Sequence, residues 1–168
     1  FVGGLQTRRD QAAVQGDFVP GEGQNLTAGL DWLDDHITGS TAYDVDSREN
    51  TGVFAEYQGR FGAQQLQAGL RGDDNEQFGS HTTGNLGWGW HFDGGMLLSA
   101  RWSSGFRAPS FNDLYYPYYG NPDLQPEKSK SYELQWRSQL GERTTLEASV
   151  YRTDLHNLIT YVSDPVTW

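Results

Sequence analysis

An alternation of apolar and polar residues recurs about eight times along this chain and constrains its fold more than any other feature. Side chains in a β-strand point to opposite faces at a period of two, so each segment has one apolar and one polar face. The clearest apolar sets are Leu26, Ala28, Leu30 and Trp32; Leu66, Ala68 and Leu70; Tyr132, Leu134 and Trp136; and Leu146, Ala148 and Val150. The pattern predicts either a soluble sandwich with buried apolar faces or a transmembrane barrel that turns them to lipid.

The connections between these segments alternate between short and long. Outer-membrane barrels have short periplasmic turns and longer extracellular loops, so this alternation favours an all-β, antiparallel up-and-down transmembrane barrel wall of about eight strands. The first strand, about Gln6–Val19, then runs toward the periplasm and the last, about Thr144–Leu155, runs outward. The predicted short turns are Pro20–Gly23, Gly62–Gln64, Asp93–Gly95 and Gly141–Arg143, and the predicted long loops are Thr38–Asn50, Asp73–Thr83 and Arg107–Ser129, with another beginning near Asn157.

Composition excludes several other classes of protein. The mean hydropathy is -0.69, and no window approaches the roughly 18 consecutive apolar residues of a membrane-spanning helix. A net charge of -10 leaves no basic surface, so no nucleic-acid partner is expected. The four histidines have no metal-ligand spacing, and no nucleophile motif is present, so the sequence predicts neither an enzyme nor a metal site.

Aromatic and charged residues add detail to the predicted wall. Amphipathic rings prefer the depth of the lipid headgroups, so outward rings near both strand ends are expected to contact the lipid bilayer. Those near the short turns are Tyr57, Phe61, Trp88, Trp90 and Phe92, and those near the long loops are Trp32, Trp102 and Tyr132. On the inward face, cross-strand ion pairs are expected among Arg60, Arg71, Arg101, Arg137, Glu56, Glu133 and Glu147.

One strand ends in Gly105-Phe106-Arg107-Ala108-Pro109, and an aromatic loop then leads to Gly120–Ser129. These two elements resemble those of the TonB-dependent outer-membrane receptor family. Further stretches are similar to the cobalamin-receptor branch of that family: Arg48–Val53, Arg71–Gly79, Tyr118–Pro122 and Tyr151–Ile159. The resemblance covers nearly the whole chain, most clearly Asp31–Tyr161.

The resemblance implies a barrel of about 22 strands closed by an N-terminal plug, in the outer membrane of a Gram-negative cell. Residues 1–168 are then expected to be one barrel segment that lacks the plug and the C-terminal strands. The implied function is active uptake of cobalamin or a related metal chelate, with the TonB complex as partner through the missing plug. A siderophore receptor segment and a passive structural or adhesive barrel stay open as alternatives, as does a smaller closed barrel of eight strands.

Two loops hold the candidate ligand-binding residues. Exposed tyrosines on a long loop offer apolar area with a polar tip, which suits a ligand platform or, alternatively, a self-packed cap on the barrel mouth. The tyrosines in question are Tyr115, Tyr116, Tyr118 and Tyr119. By resemblance, the region that touches the corrin ligand contributes Thr38, Ser40, Thr41 and Tyr43.

Acidic residues crowd the first two predicted long loops and the strand that precedes them. They are Asp34, Asp35, Asp44, Asp46, Glu49, Asp73, Asp74 and Glu76. Clustered carboxylates suit Ca2+, and the resemblance implies calcium-assisted binding in the intact receptor, although through loops that precede this chain. The spacing here is not that of an EF-hand, so a solvated acidic rim with no bound cofactor is expected.

Overall fold

A computed structural model describes residues 4–40 and 42–160, which form one antiparallel sheet of eight strands in the order of the sequence. Each strand pairs with its sequence neighbour, which confirms the predicted all-β up-and-down wall. In the described part of the chain, no helix is long and apolar enough to cross a membrane. The elements are β1 Leu5–Phe18, β2 Gln24–Gly39, β3 Ser47–Phe61, β4 Gln64–Asn75, β5 Gly79–Phe92, β6 Met96–Arg107, α1 Phe111–Tyr115, β7 Glu127–Gln139 and β8 Thr145–His156.

The apolar face of the sheet is continuous across the strands. Leu134 lies opposite Ala100 on one side and Val150 on the other, and Leu70 lies opposite Ala55. Leu134 is 47% exposed and Leu70 is 63% exposed, whereas the central residues of a sandwich would be enclosed. The described residues therefore have the exposed apolar face of a barrel wall, and the alternative of a soluble sandwich is wrong.

Aromatic side chains form a ladder beside the short turn between β5 and β6. The Trp88 and Trp90 ring centroids are 6.0 Å apart, and Trp90 stacks on Phe92 at 4.8 Å. The Trp88 indole N–H donates to Gln64 Oε1 at 3.1 Å, so its polar edge has a partner. Nearer the other end of the strands, Trp102 lies opposite Tyr132. These positions agree with the two aromatic girdles that the sequence predicts.

The polar face carries cross-strand ion pairs, as predicted for Arg101 and Arg137. Arg101 lies 3.6 Å from Glu133, and Arg137 lies 3.2 Å from Glu147. Arg71 instead binds aspartates: both of its terminal nitrogens donate to Asp31, at 2.6 and 2.7 Å, and it also binds Asp73. Strand β4 thereby reaches across β3 to hold β2.

The prediction of a long loop at Asp73–Thr83 is wrong. β4 continues to Asn75 and β5 begins at Gly79, so residues 76–78 alone connect them. Asn75 Oδ1 accepts hydrogen bonds from the backbone N–H of Gln77 at 3.3 Å and of Phe78 at 3.1 Å. Gly79 has a φ of +73°, which glycine adopts without a steric penalty. The polar run before Asn75 therefore pairs as strand, and among the described residues the long connections are those from β2 to β3 and from β6 to β7.

β1 and β8 are the two edges of the sheet. The alternative of a closed barrel of eight strands is therefore wrong for the described residues, in which β1 and β8 do not pair. Such a barrel leaves an interior just wide enough for side chains. The polar face here carries long arginine and glutamine side chains on several strands, and an open wall leaves them room.

Candidate ligand-binding loops

Loop 108–126, between β6 and β7, is folded around the helix α1. Ser110 caps this helix: its Oγ accepts a hydrogen bond from Asp113 N at 3.2 Å, and its own N–H donates to Asp113 Oδ2 at 2.9 Å. This reciprocal capping box satisfies two backbone donors and explains why the helix starts there. At the base of the loop, Arg107 and Glu127 form an ion pair of 2.9 Å that joins its two ends.

Three other segments hold α1 by side-chain hydrogen bonds. The Tyr43 hydroxyl donates to Asn112 Oδ1 at 2.7 Å, and Arg48 Nη1 donates to the Pro109 carbonyl at 2.9 Å. From the β4–β5 turn, Gln77 Nε2 donates to the Tyr115 hydroxyl. Phe111 and Leu114 of the helix are buried. The helical part of the loop therefore packs against the outer ends of the strands, as expected if the loop is a self-packed cap on the barrel mouth.

The four candidate tyrosines of this loop divide into two groups. Tyr115 is half-buried and bonded to Gln77, so it anchors the loop. Tyr116, Tyr118 and Tyr119 are 44%, 101% and 75% exposed, and the ring centroids of Tyr116 and Tyr119 are 6.4 Å apart. The structure thus places three accessible tyrosines on one turn, two of them with neighbouring rings, which suits contact with a large ligand.

That turn has an uncommon backbone. Tyr119 N donates to Tyr116 O at 3.2 Å, and Tyr118 has a φ of +71° in the third position, which in a type II turn favours glycine. Pro117 fixes the second position. A tyrosine there costs conformational energy and leaves its ring fully exposed, so the turn presents Tyr118 to solvent rather than packing it.

The second candidate set lies on β2 and the residues that follow it. Thr38 is exposed on the same face of β2 as Trp32, the apolar face, and Ser40 is exposed with its N–H bonded to Gly4 O at 3.1 Å. Thr41 lies outside the described residues. Only Tyr43 of the described members touches loop 108–126. Partial burial raises the pKa of Tyr43, with a smaller contribution from Tyr116, so its hydroxyl stays protonated and donates at neutral pH.

Three of these acidic residues are bound to basic side chains. Asp35 accepts two hydrogen bonds from Arg9 at 2.7 and 2.9 Å, and Asp73 binds Arg71. Asp34 lies 2.7 Å from the His36 imidazole. Within the described ranges, no group of three or more acidic, histidine or cysteine side chains is arranged so that it could hold a metal ion.

Two concavities of the described residues lie away from the exposed tyrosines. One, of about 500 Å3, is the open hollow of the polar face near the short turns and includes Gln58, Arg60 and Gln135. A groove of about 350 Å3 lies between the β4–β5 turn and the return arm of loop 108–126, lined by Phe78, His81 and Leu124 among others. The candidate site is therefore a projecting surface rather than an enclosed pocket.

Sequence reasoning missed Arg48, Gln77 and Asn112, which fasten the loop to the wall. Arg48 and Gln77 come from distant segments, and nothing in their local sequence indicates this contact. The tight turn that positions Gln77 did have a signal, since Asn75 followed by Gly79 is a turn combination.

Comparison with known proteins identifies the family. A model of the TonB dependent receptor-like β-barrel matches residues 2–168. The vitamin B12 transporter BtuB of Photobacterium profundum is 34% identical over 160 residues, which are 94% of this chain and 26% of that protein. The chain therefore spans about a quarter of the length of this curated relative.

Solved structures show the same fold. The siderophore receptor PirA of Pseudomonas aeruginosa superposes with a TM-score of 0.77 at 21% identity, covering 91% of this chain and 32% of that one. A ferric enterobactin receptor, PfeA, of the same organism in complex with enterobactin gives 0.80 at 20% identity, covering 96% and 29%. The family consists of transporters and receptors of the Gram-negative outer membrane. This chain belongs to the TonB-dependent receptor β-barrel family, and its described residues form eight strands of such an outer-membrane barrel.

Proposed function

We propose that this chain is part of a transporter for active uptake of cobalamin or a related metal chelate across the outer membrane. The observation that supports cobalamin as the substrate is the 34% identity to a vitamin B12 transporter over nearly the whole chain. The solved neighbours, at about 20% identity, support the fold alone. The edges of β1 and β8 pair with further strands of a larger barrel, because unpaired backbone groups are costly in lipid. Coupling to the TonB complex runs through a plug domain.

In this proposal the exposed turn of loop 108–126 contacts the chelate. Tyr116, Tyr118 and Tyr119 supply rigid aromatic area, and α1 holds them in place through Tyr43 and Gln77. Pre-organised aromatic side chains lose little entropy when they bind. Of the second set, Tyr43 supports this turn and Ser40 and Thr41 belong to the rim of the same site, whereas Thr38, on the apolar face of β2, is placed less well for contact with the ligand.

Binding of cyanocobalamin to the full-length polypeptide in outer membranes tests this function. We expect saturable binding that excess ferric siderophore does not displace. Binding of the ferric siderophore, with no binding of cobalamin, would contradict this proposal and favour siderophore uptake instead.

The 168-residue chain alone is expected to bind no cobalamin with useful affinity, because its two loops supply only part of a site. Nanomolar binding by calorimetry would contradict that expectation.

Replacing Tyr118 with glycine is expected to move stability and binding in opposite directions. Glycine adopts a positive φ without steric strain, so the turn is expected to be stabilised by up to about 1 kcal/mol. The same change removes the most exposed ring and so weakens cobalamin binding. Both are measured on the full-length protein, with Tyr118→Phe as the control that keeps the ring. Unchanged affinity in the glycine variant would show that Tyr118 does not touch the ligand.

A further inference from the structure

Arg48 lies at the outer end of β3 and contacts three separate parts of the chain. Its Nη1 donates to the Pro109 carbonyl at 2.9 Å and to Gln77 Oε1 at 3.4 Å. Its guanidinium carbon lies 5.0 Å from the centre of the Phe111 ring and 5.9 Å from that of Phe78. One side chain therefore joins β3, the β4–β5 turn and the first turn of α1.

These contacts of Arg48 are all with neutral groups. Asp35, the carboxylate opposite Arg48 in the β2–β3 register, is already bound by Arg9 through both of its oxygens. A cation over an aromatic ring is stabilised by the ring quadrupole, and its N–H groups still donate to carbonyl oxygens in the plane. The planar guanidinium does both at once, whereas the ammonium of lysine does not.

The helix that Arg48 contacts is too short to hold its position alone. α1 has five residues, and isolated helices of that length are not stable in water. Its place depends on the burial of Phe111 and Leu114 and on the contacts of Pro109, Asn112 and Tyr115. The exposed turn begins at Tyr116, the C-cap of the same helix. A change at Arg48 is therefore transmitted to the turn over a few residues.

We propose that Arg48 is a positioning residue, which fastens α1 to the barrel wall and so holds the Tyr116–Tyr119 turn in place before a ligand arrives. Arg48 does not touch the ligand in this proposal. It acts through Phe111 and Pro109, and it lowers the ordering cost of binding at the turn. The role in ligand binding rests on the proposed function, whereas the fastening of the loop does not.

Spin-label mobility at position 118 tests the fastening without any ligand. The chain contains no cysteine, so Tyr118→Cys gives this segment one labelling site in the full-length polypeptide, after replacement of any cysteine elsewhere. Arg48→Met is expected to increase the mobile fraction of the label at least threefold, and Arg48→Lys to give a smaller increase. The control Arg101→Met removes an arginine that pairs with Glu133 on the wall, and it should leave the spectrum unchanged.

An unchanged spectrum in Arg48→Met would overturn the proposal, provided that the barrel is folded. Folding is checked by heat-modifiable migration of the protein on gels. If Arg48→Met does not assemble, the variant Phe111→Leu tests the same contact. It keeps an apolar side chain in the buried position but removes the ring under Arg48, so we expect the label at position 118 to become more mobile. An immobile label in Phe111→Leu would refute the role of the cation–ring contact.

Cobalamin binding by the Arg48 and Arg101 variants that keep Tyr118 separates this proposal from the proposed function. We expect Arg48→Met to weaken binding about tenfold, mainly through slower association, with Arg101→Met unchanged. A mobile label together with unchanged cobalamin affinity would leave the fastening role intact. That result would remove loop 108–126 from the ligand site and contradict the proposed function of the turn.

Discussion

Replacing Gly52 with alanine is expected to lower the free energy of unfolding of the barrel by about 2 kcal/mol. A Cβ on Gly52 would lie 2.7 Å from Arg71 Cζ and 2.9 Å from Asp31 Oδ1, and closer still to Arg71 Nη2. Arg71 crosses β3 at this point to reach Asp31, so the methyl group must displace it. The ion pair is half-buried, and therefore its loss costs less than that of a fully buried pair.

Gly87→Ala is the matched control for this prediction. Gly87 is also a strand glycine on the polar face, but a Cβ there would meet Gln67 Cβ only at 3.7 Å, an ordinary contact. Alanine is otherwise preferred over glycine within a strand by roughly 0.5–1 kcal/mol, so this variant should be slightly stabilised. Urea unfolding of the folded full-length barrel measures both variants. Equal behaviour of the two would refute the steric role of Gly52.

A double-mutant cycle locates the cause of the Gly52 effect. In an Arg71→Met background the long charged side chain no longer lies over β3, so Gly52→Ala should cost little or become favourable. Non-additivity of this kind is expected only for residues in direct contact. Additive effects would mean that the alanine acts through the β3 backbone and not through Arg71.

The double variant Tyr116→Ala, Tyr119→Ala is expected to weaken cobalamin binding to the full-length receptor by roughly 1–4 kcal/mol. The two rings lie 6.4 Å apart on the exposed turn, so one large ligand can contact both. Their loss removes apolar area without disturbing Tyr115, whose hydroxyl is bonded to Gln77. Equilibrium binding of radiolabelled cyanocobalamin measures the change.

Tyr151→Ala is the control for this loss of aromatic area. Tyr151 lies in the middle of β8, opposite Glu133 on β7, and not on loop 108–126, so its removal should leave cobalamin affinity unchanged. Unchanged affinity in the Tyr116 and Tyr119 double variant, with the barrel intact, would instead mean that this loop only packs on itself.

The architecture was predictable from local pattern. Strand β8 was predicted within one residue at each end, because the alternation around Leu146 and Val150 is bounded by turn residues such as Gly141. The face of each residue follows from the period of two, and so the exposed apolar surface follows as well. Arg101 and Arg137 face acidic residues on the next strand, and their ion pairs follow from this register.

Contacts between distant segments were not predictable in this way. The polar residues Asp73 and Asp74 resemble a loop by composition, yet they pair with β3 and β5 because Asn75 closes the turn that follows. Arg71 binds Asp31 two strands away because Gly52, on the strand between them, has no side chain to block the arginine. The strand register alone does not predict this contact.

The sequence by itself determined the class of fold, the two faces of the wall and the loop that carries the tyrosines. Each of these depends on interactions between residues close in sequence or directly opposite in a ladder. Only the tertiary structure decided that Tyr115 anchors the loop while Tyr116, Tyr118 and Tyr119 are displayed, and that Arg48 joins β3 to α1. A side chain that reaches across several strands has many partners of similar chemistry within range, and the packing of the whole loop selects among them.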